Sequence, residues 1–256
     1  MRLICTIGAR GGSKGVPGKN LRTMNGLPLL AHTIGQAKDS GLFDAIAFSS
    51  DSAEILHVAN AHGADILIER PGKMATDLAA KTPAIRHCFL EAEKRLGKRY
   101  DAFVDLDVTS PLRLLSDIKG AVELFAENGV SNVITGCPAR HSPYFTLVEA
   151  DGSGHVRLSK TPPGNVVRRQ DSPKCWDMNG SIYVWRREPF VSDPRVLYAD
   201  TMLYEMPDER SIDIDSELDW RFVEFLMMER IRSSTVPVGN HSGQTLQSNP
   251  TQTGNS

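Results

Sequence analysis

The sequence lacks both a long apolar run and an excess of charge of either sign. It contains 29 Lys and Arg residues against 31 Asp and Glu residues, so its formal net charge is −2. A membrane-spanning helix needs about 18 or more consecutive apolar residues, and nonspecific binding to nucleic acid or membrane surfaces needs a strong positive excess. We therefore expect a protein that binds neither a membrane nor a nucleic acid, which still allows a local basic pocket.

Cysteine and histidine are too few and too scattered to indicate a disulfide framework or a zinc site. The four cysteines are Cys5, Cys88, Cys137 and Cys175, without a C-x-x-C pair, and the seven histidines show no metal-ligand spacing. We interpret the cysteines as reduced thiols, most of them buried. No N-terminal segment has the charged and then apolar pattern of a secretion signal, so we predict a cytoplasmic protein.

Strand-like and helix-like segments alternate along the sequence. Of the 256 residues, 40% are apolar, which is enough for a sizeable core. Repeated βα units predict an α/β fold, a Rossmann-like and mostly parallel sheet flanked by helices. Ligands of such sheets bind beyond the carboxyl ends of the strands. Strands are predicted over residues 2–7, 45–49, 65–68, 101–105, 132–135 and 181–185, and helices over 29–38, 52–62, 82–96, 116–127 and 216–231.

The pattern changes after residue 136. Residues 144–157 predict a hairpin that turns at 151–154, and a basic stretch over 160–174 follows it. We interpret residues 138–178 as a small lobe inserted into one domain that spans residues 1–232. Residues 233–256 are rich in Ser, Gly, Gln, Asn and Thr, which predicts a disordered tail. The last predicted helix carries on one face Leu218, Phe222, Phe225 and Leu226.

A glycine-rich, cationic loop follows the first predicted strand. It contains Arg10, Lys14 and Lys19. Glycines let backbone N–H groups approach an anion and the cations neutralise it, so we predict a polyphosphate site, with a cationic surface loop as the alternative. The loop is not a Walker A motif, because Ser13 and Asn20 stand where that motif needs a glycine and a hydroxyl residue. It also lacks the Gly-x-Gly-x-x-Gly fingerprint of dinucleotide-binding folds.

Two aspartates stand close together before the last predicted helix. In Asp213-Ile214-Asp215 the alternation predicts a strand-like segment with both carboxylates on one face. Neighbouring carboxylates repel each other unless a cation lies between them, and Mg²⁺ prefers carboxylates combined with phosphate oxygens. Beside a phosphate loop, this pair therefore predicts a metal site. The alternative is that Asp215 or Ser216 only caps the helix.

Two further polar clusters are candidate site elements. Residues 105–113 follow a predicted strand and place Asp107 and Thr109 where both can face a cleft; a strand end followed by a turn is the alternative. Arg168 and Arg169 form a pair that suits bidentate binding of a carboxylate or phosphate. The alternative for this pair is a solvated basic face.

These segments, in this order, resemble those of the acylneuraminate cytidylyltransferases, also called CMP-sialic acid synthetases. The family's opening motif, Ala-Arg-x-x-Ser-Lys-Gly-x-x-x-Lys-Asn, is matched at every fixed position by residues 9–20. Residues 109–113, 179–183 and 211–219 match three further motifs, and the likeness extends over residues 2 to about 230. The residues around these motifs look closest to the legionaminic acid branch of the family.

The resemblance implies a nucleotide-diphospho-sugar transferase fold and a reaction that needs Mg²⁺ or Mn²⁺. In that reaction CTP and a nine-carbon 2-keto sugar acid give a CMP-sugar and pyrophosphate. It also implies a homodimer, in which the inserted lobe is the dimerisation lobe and the sites are completed across the interface.

The implied catalytic residues are Arg10, Lys14, Lys19 and Asp215. The implied nucleotide-binding residues are Ala9, Arg10, Gly11, Ser13, Lys14, Asn20, Arg70 and Ala79. The implied sugar-binding residues are Lys19, Asp107, Thr109, Arg169 and Asn179, and the implied metal ligands are Asp213 and Asp215.

The sequence departs from the common sialic acid pattern near the expected sugar. Asp107 replaces a glutamine that contacts the sugar in the family, and Lys81 stands where a small hydroxyl residue is common. These departures argue against N-acetylneuraminate. The resemblance to the legionaminic acid branch implies N,N'-diacetyllegionaminic acid, a 5,7-diamino relative of sialic acid, as the preferred substrate, with N-acetylneuraminate second and pseudaminic acid third. The alternative from another functional class is a non-catalytic protein that binds CTP and the sugar. The intact pair of Asp213 and Asp215 argues against that alternative.

Overall fold

The computed structural model of the protein describes residues 1–12, 14–76, 79–161 and 168–235. Its central element is a seven-stranded, mostly parallel sheet with helices on both faces, so the predicted fold class is confirmed. No helix in this part of the chain has the length and apolarity needed to cross a membrane.

The strands are β1 (Leu3–Gly8), β2 (Thr23–Met24), β3 (Leu27–Pro28), β4 (Ile46–Ser50), β5 (Ile66–Glu69), β6 (Ala102–Asp107), β7 (Asn132–Pro138), β8 (Val148–Ala150), β9 (Val156–Leu158), β10 (Trp176–Arg186) and β11 (Met202–Glu205). The helices are α1 (Leu29–Ser40), α2 (Ala53–Ala61), α3 (Lys81–Leu96), α4 (Leu115–Asn128), α5 (Arg187–Ser192) and α6 (Glu217–Thr235).

The strand order of the main sheet is β11-β7-β10-β6-β1-β4-β5. Neighbouring strands are parallel except at β10, which runs antiparallel to both β6 and β7. In register, Gly8 at the end of β1 lies beside Asp107 of β6 and beside Ser49 of β4. The carboxyl ends of three parallel strands therefore meet at one edge, which is where such sheets bind their ligands.

Local sequence signals account for some of the boundaries of the first four helices. Ser52 caps α2, because its side-chain oxygen accepts a hydrogen bond from the backbone N–H of Ile55 at 3.4 Å. Gly41 follows α1 with a φ of 66°, a left-handed conformation that glycine adopts without steric cost. The four helices agree with the predicted ranges to within two residues at each end.

An apolar layer covers each face of the main sheet. One layer packs α1, α2, α4 and α6 against the strands and includes the buried Phe48 and Trp220. The other packs α3 and α5, and in it the rings of Phe103, Trp185 and Phe190 have centroids 4.7 to 5.4 Å apart. Burying a side chain of this size contributes about 1.5–3 kcal/mol. These layers hold the sheet, and with it the position of its carboxyl edge.

A separate hairpin forms between β7 and β10. These two strands stay paired as far as Pro138 and Trp176, and β8 pairs with β9 between them. The hairpin predicted over residues 144–157 is therefore present. Its apolar side chains Val148 and Val156 are 52% and 66% exposed. The division into a domain over 1–232 and a lobe over 138–178 stays a prediction.

The last helix packs with a different face from the one that the apolar pattern indicates. Of the four predicted side chains, Leu226 packs against the core, whereas three are 50–74% exposed: Leu218, Phe222 and Phe225. Trp220 and Val223 are buried instead. The guanidinium of Arg22 lies 4.2 Å from the Trp220 ring centroid, and this cation–π contact helps to fix the helix in its orientation.

Some elements were not predicted from the sequence. β2 and β3 form a hairpin that turns at Asn25 and Gly26, whose φ angles are 47° and 85°, as is typical of a two-residue hairpin turn. β11 adds an edge strand beside β7, and the short helix α5 follows β10 directly. α6 continues to Thr235, so residues 233–235 of the predicted tail are helical. Residues 236–256 lie outside the described part of the chain.

Candidate functional site

The candidate site is a cleft at the carboxyl edge of the main sheet. Two adjoining cavities of about 270 and 260 Å³ have four lining residues in common: Gly8, Arg10, Arg70 and Asp107. The first, here the α3 pocket, extends to Ala79 and Lys81. The second, here the loop pocket, lies against the glycine-rich loop and is also lined by Lys14, Lys19, Asn20, Thr109 and Asp215. The N-terminal cations and Asp215 therefore line one cavity.

The glycine-rich loop is anchored to the body of the protein at several points. Val16 is fully buried. Asn20 is buried, and its Nδ2 donates to the carbonyl oxygen of Arg10 at 2.9 Å. The N–H of Gly11 donates to Oδ1 of Asp51 at 2.9 Å. These contacts hold the loop so that its cations line the loop pocket.

The loop touches the segment that carries the two aspartates. A Cβ built on Gly15 would overlap the backbone carbonyl oxygen of Asp215. Nζ of Lys19 donates to the carbonyl oxygen of Ile214 at 2.5 Å and lies 3.7 Å from Oδ1 of Asp215. The N–H of Ile214 donates in turn to the carbonyl oxygen of Thr109 at 3.0 Å. The loop, the aspartate segment and the end of β6 thus form one continuous wall.

The prediction that Asp213 and Asp215 lie on a strand was wrong. They belong to no strand of the described chain, because the segment runs directly into the capped start of α6. Ser216 caps that helix: its Oγ accepts from the N–H of Asp219 at 3.3 Å, and Oδ2 of Asp219 accepts from the N–H of Ser216 at 2.7 Å. Ser216 and Asp219 therefore cap the helix, and the side chain of Asp215 is 82% exposed.

The carboxylates near the loop pocket suit a divalent cation. Burial raises the pKa of Asp213, and the negative charges of Asp107 and Asp215 raise it further. Within the described residues, no group of three or more His, Cys, Asp and Glu side chains is arranged to hold a metal ion. An ion on Asp213 and Asp215 would therefore take its other ligands from phosphate or water, as Mg²⁺ does in nucleotide sites. These residues fit Mg²⁺ or Mn²⁺.

An ion pair fixes the aspartate segment against α4. Nε and Nη2 of Arg210 each donate to a different oxygen of Asp117 at 2.9 Å, and Asp117 is fully buried in the first turn of α4. Bidentate pairs of this kind restrict geometry as well as adding energy. Because Arg210 precedes Asp213 by three residues, the pair limits how far the aspartates can move.

A network of charged side chains lies at the end of β6. Nζ of Lys81 is 2.6 Å from Oδ2 of Asp107 and 3.9 Å from Oδ2 of Asp105. Thr109 donates to Oδ1 of Asp107 through its N–H and its hydroxyl, at 3.0 and 2.9 Å. Burial alone would raise the pKa of Asp107, but Lys81 and Thr109 outweigh it and hold that pKa well below its usual range. Asp105 accepts from Oγ1 of Thr6 at 2.7 Å, and burial raises its pKa.

Arg113 lies beneath this network as a buried clamp. Its guanidinium donates to Oγ of Ser181 at 2.9 Å, to Oε1 of Gln36 at 3.0 Å and to the carbonyl oxygen of Asp107. Burial lowers the pKa of Arg113 to about 10, which leaves the group charged at neutral pH. Arg113, the last residue of the polar run over 105–113, therefore joins β6, α1 and β10 rather than facing the cleft.

We expect Arg113→Met to lower the free energy of unfolding by about 3 kcal/mol, because buried acceptors left without a donor cost about 1–3 kcal/mol each. Urea denaturation followed by circular dichroism measures the change. Arg99→Met is the matched control, since Arg99 pairs with Glu188 at the surface, where ion pairs contribute little. Equal unfolding midpoints for the two variants would contradict the clamp.

Arg70 lies where the two pockets join. Its Nε and Nη2 donate to the hydroxyl and carbonyl oxygens of Ser49 at 3.2 and 3.1 Å. A Cβ on Gly8 would come within 2.5 Å of Nη2, so glycine at the end of β1 makes room for the guanidinium. Burial lowers the pKa of Arg70. Ala79 lines the α3 pocket with it.

The structure brings most of the predicted site residues together. Gly11 begins the loop, and Asp213 interacts electrostatically with Asp107 and Asp215. Ser13 and the side chain of Arg169 lie outside the described residues. The role of each residue toward nucleotide, sugar or metal stays a prediction. The predicted residues that line the cleft are Ala9, Arg10, Lys14, Lys19, Asn20, Arg70, Ala79, Asp107, Thr109 and Asp215.

Asn179 is not among the residues that line either pocket. Its Nδ2 donates to Oγ of Ser211 at 3.0 Å and contacts Sδ of Met206 at 3.4 Å. Its Oδ1 accepts from Oγ1 of Thr135 at 2.6 Å and from the N–H of Ser181 at 3.1 Å. These bonds use both donors and both acceptor positions of the amide. The predicted contact between Asn179 and a sugar would need them to rearrange.

Sequence reasoning missed two side chains that build the site. Asp51, which holds Gly11, follows β4 in the polar run Ser49-Ser50-Asp51, and this strand-end signal is the same one that identified residues 105–113. Arg22, whose Nη1 donates to Oε1 of Glu217 at 2.6 Å, carries no such signal. Its partner is 195 residues away in the sequence.

Comparisons with known proteins give consistent matches. A sequence model of the family described as cytidylyltransferases matches residues 4–221. The chain is 43% identical over 228 residues to "Post-translational flagellin modification protein B" of Campylobacter coli, covering 89% of this chain and 96% of that protein. It is 44% identical over 225 residues to "CMP-N,N'-diacetyllegionaminic acid synthase" of Campylobacter jejuni, covering 88% and 94%.

A solved structure shares the fold at low sequence identity. It is that of a CMP:2-keto-3-deoxy-manno-octonic acid synthetase complexed with CTP, which covers 90% of this chain and 100% of its own with a TM-score of 0.66. The identity is 16%, so this match supports the architecture of the sheet and its helices alone.

Proposed function

The chain belongs to the cytidylyltransferase family and is a nucleotidyltransferase, and from that premise we propose that it activates a nonulosonic acid with CTP. The observation that carries the proposal is the loop pocket, in which the cations of the glycine-rich loop and Asp215 line one cavity. The preferred sugar acid is N,N'-diacetyllegionaminic acid. It is favoured by the name of the Campylobacter jejuni relative and by the departures from the sialic acid pattern at Lys81 and Asp107.

The two pockets suit the two ends of CTP. In this proposal Arg70 and Ala79 bind the cytosine in the α3 pocket, and Arg10 and Lys14 bind the triphosphate in the loop pocket together with the N–H groups of the loop. Catalysis of such transfers consists mainly of positioning and of neutralising the phosphate oxygens. Arg10 and Lys14 therefore offset the charge that develops on the departing pyrophosphate.

The transfer is a displacement at the α-phosphorus. The anomeric hydroxyl oxygen of the sugar acid bonds to that phosphorus, the bond to the bridging oxygen of pyrophosphate breaks, pyrophosphate leaves with the electron pair of that bond, and the hydroxyl proton passes to the solvent. Lys19, held by Ile214 and Asp215, stabilises the charge on the α-phosphate. Asp213 and Asp215 hold Mg²⁺ or Mn²⁺, which when bound supplies a Lewis acid to the phosphate oxygens.

The sugar acid binds at the end of β6 in this proposal. Asp107 and Thr109 are fixed against each other there and line the loop pocket. Arg169 and Asn179 complete the proposed sugar contacts, and for Asn179 this requires that its hydrogen bonds to Ser211 and Thr135 rearrange when the sugar binds. A pocket that must accept an acylated nitrogen at C7 and a methyl group at C9 differs from one built for hydroxyls at those carbons, and an unpaired polar group in it rejects the wrong sugar strongly.

Incubation of the protein with CTP, Mg²⁺ and each of three sugar acids tests the function. We expect pyrophosphate release and a CMP-sugar mass, with kcat/KM highest for N,N'-diacetyllegionaminic acid, then N-acetylneuraminate, then pseudaminic acid. A higher kcat/KM for N-acetylneuraminate would overturn the preferred sugar but keep the reaction. Binding of CTP without pyrophosphate release for any acid would favour the non-catalytic alternative.

The inserted lobe is proposed to make the protein a homodimer. Its hairpin exposes Val148 and Val156, and exposed apolar clusters mark interaction surfaces. We expect the double variant Val148→Lys/Val156→Lys to sediment as a monomer and to lose turnover, because the sites are completed across the interface. Phe222→Lys, on the exposed face of α6, is the matched control. The prediction would be wrong if the Phe222→Lys variant sedimented as a monomer while the Val148→Lys/Val156→Lys variant remained a dimer.

The cytoplasm is the proposed compartment. All four cysteines are free thiols, three of them buried, and disulfides are rare in reducing compartments. Mass spectrometry of the alkylated protein, isolated under acid quench, tests whether the thiols are reduced in the cell.

A further inference from the structure

Lys81 and Asp107 form an ion pair at the junction of the two pockets. Nζ of Lys81 lies 2.6 Å from Oδ2 of Asp107. Asp107 lines both pockets and Lys81 lines the α3 pocket. The ring centroid of Tyr183 is 4.9 Å from the ammonium, which restricts its movement. The pair therefore presents a fixed positive and a fixed negative group at the point where the cavities meet.

The stability of α3 does not explain a lysine at this position. Lys81 is the first residue of α3, and the preceding Ala80 makes no side-chain cap. A cation in the first turn of a helix opposes the helix dipole. The Lys81 side chain is also 45% exposed, so it is more accessible than a counter-ion buried only to neutralise Asp107. These observations indicate a role toward a bound molecule.

Both side chains of the pair have hydrogen-bonding positions that are not used within the described residues. Lys81 has three N–H donors, of which Asp107 takes one, and Asp105 at 3.9 Å is too far for a hydrogen bond. Oδ1 of Asp107 accepts two bonds from Thr109. Within the described residues, Oδ2 of Asp107 accepts only from Lys81, although a carboxylate oxygen has two acceptor positions. A donor and an acceptor therefore stand side by side.

A hydroxyl group matches this arrangement. Its oxygen accepts a hydrogen bond from the ammonium while its hydrogen is donated to the carboxylate, so one group satisfies both partners. An ionised phosphate oxygen has no hydrogen to donate and is repelled by Asp107. A trans amide carries its N–H and its C=O on opposite sides, so it cannot engage both neighbours together.

We propose that Lys81 and Asp107 together bind one substrate hydroxyl at the pocket junction and so determine specificity. The hydroxyl belongs either to the ribose of CTP, which must connect a base in the α3 pocket to phosphates in the loop pocket, or to the sugar acid. The sugar case rests on the proposed function, whereas the ribose case needs only CTP binding.

The nucleotide arm of the test is isothermal titration calorimetry with CTP, 2'-deoxy-CTP and 3'-deoxy-CTP, without a sugar acid. If the hydroxyl is on the ribose, the wild-type protein binds one deoxynucleotide roughly 10-fold or more weakly than CTP, as expected for a lost hydrogen bond to a charged group. Lys81→Met and Asp107→Asn then bind CTP and that deoxynucleotide equally, because the discriminating pair is gone.

The sugar arm compares kcat/KM for N,N'-diacetyllegionaminic acid and its 4-deoxy and 8-deoxy analogues. If the hydroxyl is on the sugar, the kcat/KM of the wild-type protein for one analogue is roughly 10-fold or more lower than for N,N'-diacetyllegionaminic acid. Lys81→Met and Asp107→Asn then lose that preference, whereas the ratio of their affinities for CTP and for each deoxynucleotide stays at the wild-type value. The two arms thus assign the hydroxyl to one substrate.

The matched control is Lys73→Met, which removes an exposed lysine outside both pocket linings and should keep the wild-type ratios for every probe. Thermal melting confirms that each variant is folded, and Lys81→Gln replaces Lys81→Met if the latter is not. Wild-type ratios in folded Lys81 and Asp107 variants would overturn the proposal. If no sugar acid is turned over, the proposed function is wrong, but the nucleotide arm can still be measured. If CTP and both deoxynucleotides then bind with equal affinity, the proposal that Lys81 and Asp107 bind a substrate hydroxyl is wrong as well.

Discussion

Asp215→Asn is expected to lower kcat by roughly 1,000-fold and to leave the fold intact. The Asp215 side chain is 82% exposed, so little packing is lost, and α6 keeps its cap from Ser216. The substitution weakens the stabilisation of the phosphate charge by a bound cation, which contributes several kcal/mol to lowering the activation barrier. Each factor of ten in rate corresponds to about 1.36 kcal/mol. Initial rates of pyrophosphate release over a series of Mg²⁺ concentrations measure the effect.

Two further measurements separate this role from a general loss of charge. Calorimetric titration with Mn²⁺ in the presence of CTP should show weakened ion binding in Asp215→Asn. Glu209→Gln removes another exposed carboxylate six residues earlier and should keep both turnover and ion binding. Near-normal turnover of Asp215→Asn at saturating Mg²⁺ would remove Asp215 from the mechanism.

The place of the site could be predicted because strand ends are visible in the sequence. β1 ends directly before the glycine-rich loop, and β6 ends at Asp107, where the polar run over 105–113 continues. In a parallel sheet such ends lie at one edge, and the observed register sets Gly8 beside Asp107. The strand order could not be predicted in the same way, since the antiparallel insertion of β10 between β6 and β7 depends on contacts between distant segments.

The side-chain partners inside the site were mostly beyond sequence reasoning. Lys81 and Asp107 were recognised as two separate departures from the sialic acid pattern, 26 residues apart, and only the packing of α3 against β6 shows that they bond to each other. Asn179 matches a motif position, but the motif does not reveal that its amide is satisfied by Ser211 and Thr135. A motif reports which residue is present and leaves its partners open.

The error at α6 has a physical cause. The helix carries two apolar stripes, one with Leu218, Phe222 and Phe225 and the other with Trp220 and Val223. Helical periodicity shows that each stripe lies on one face, but it does not say which face meets the core. The choice is made by the packing of Trp220 within the core layer.

Gly15→Ala is expected to lower turnover by at least roughly 100-fold. The added methyl group would overlap the backbone carbonyl oxygen of Asp215, so the loop and the aspartate segment must separate. Lys19 then loses its place beside Ile214 and Asp215, and the cations and carboxylates no longer meet one triphosphate in the same geometry. A misplacement of about 1 Å at a reacting centre can cost about 100-fold in rate. Pyrophosphate release at saturating CTP measures the loss.

Gly12→Ala provides the matched control, because it adds the same methyl group in the same loop where a Cβ would meet nothing within 4 Å. It should keep turnover close to the wild-type value and a similar melting temperature. Gly15→Ala should lose turnover while circular dichroism still reports the native helix content, since α6 and the sheet are not in the path of the clash. If both variants turn over at the wild-type rate, direct contact between the loop and Asp215 is not what assembles the site.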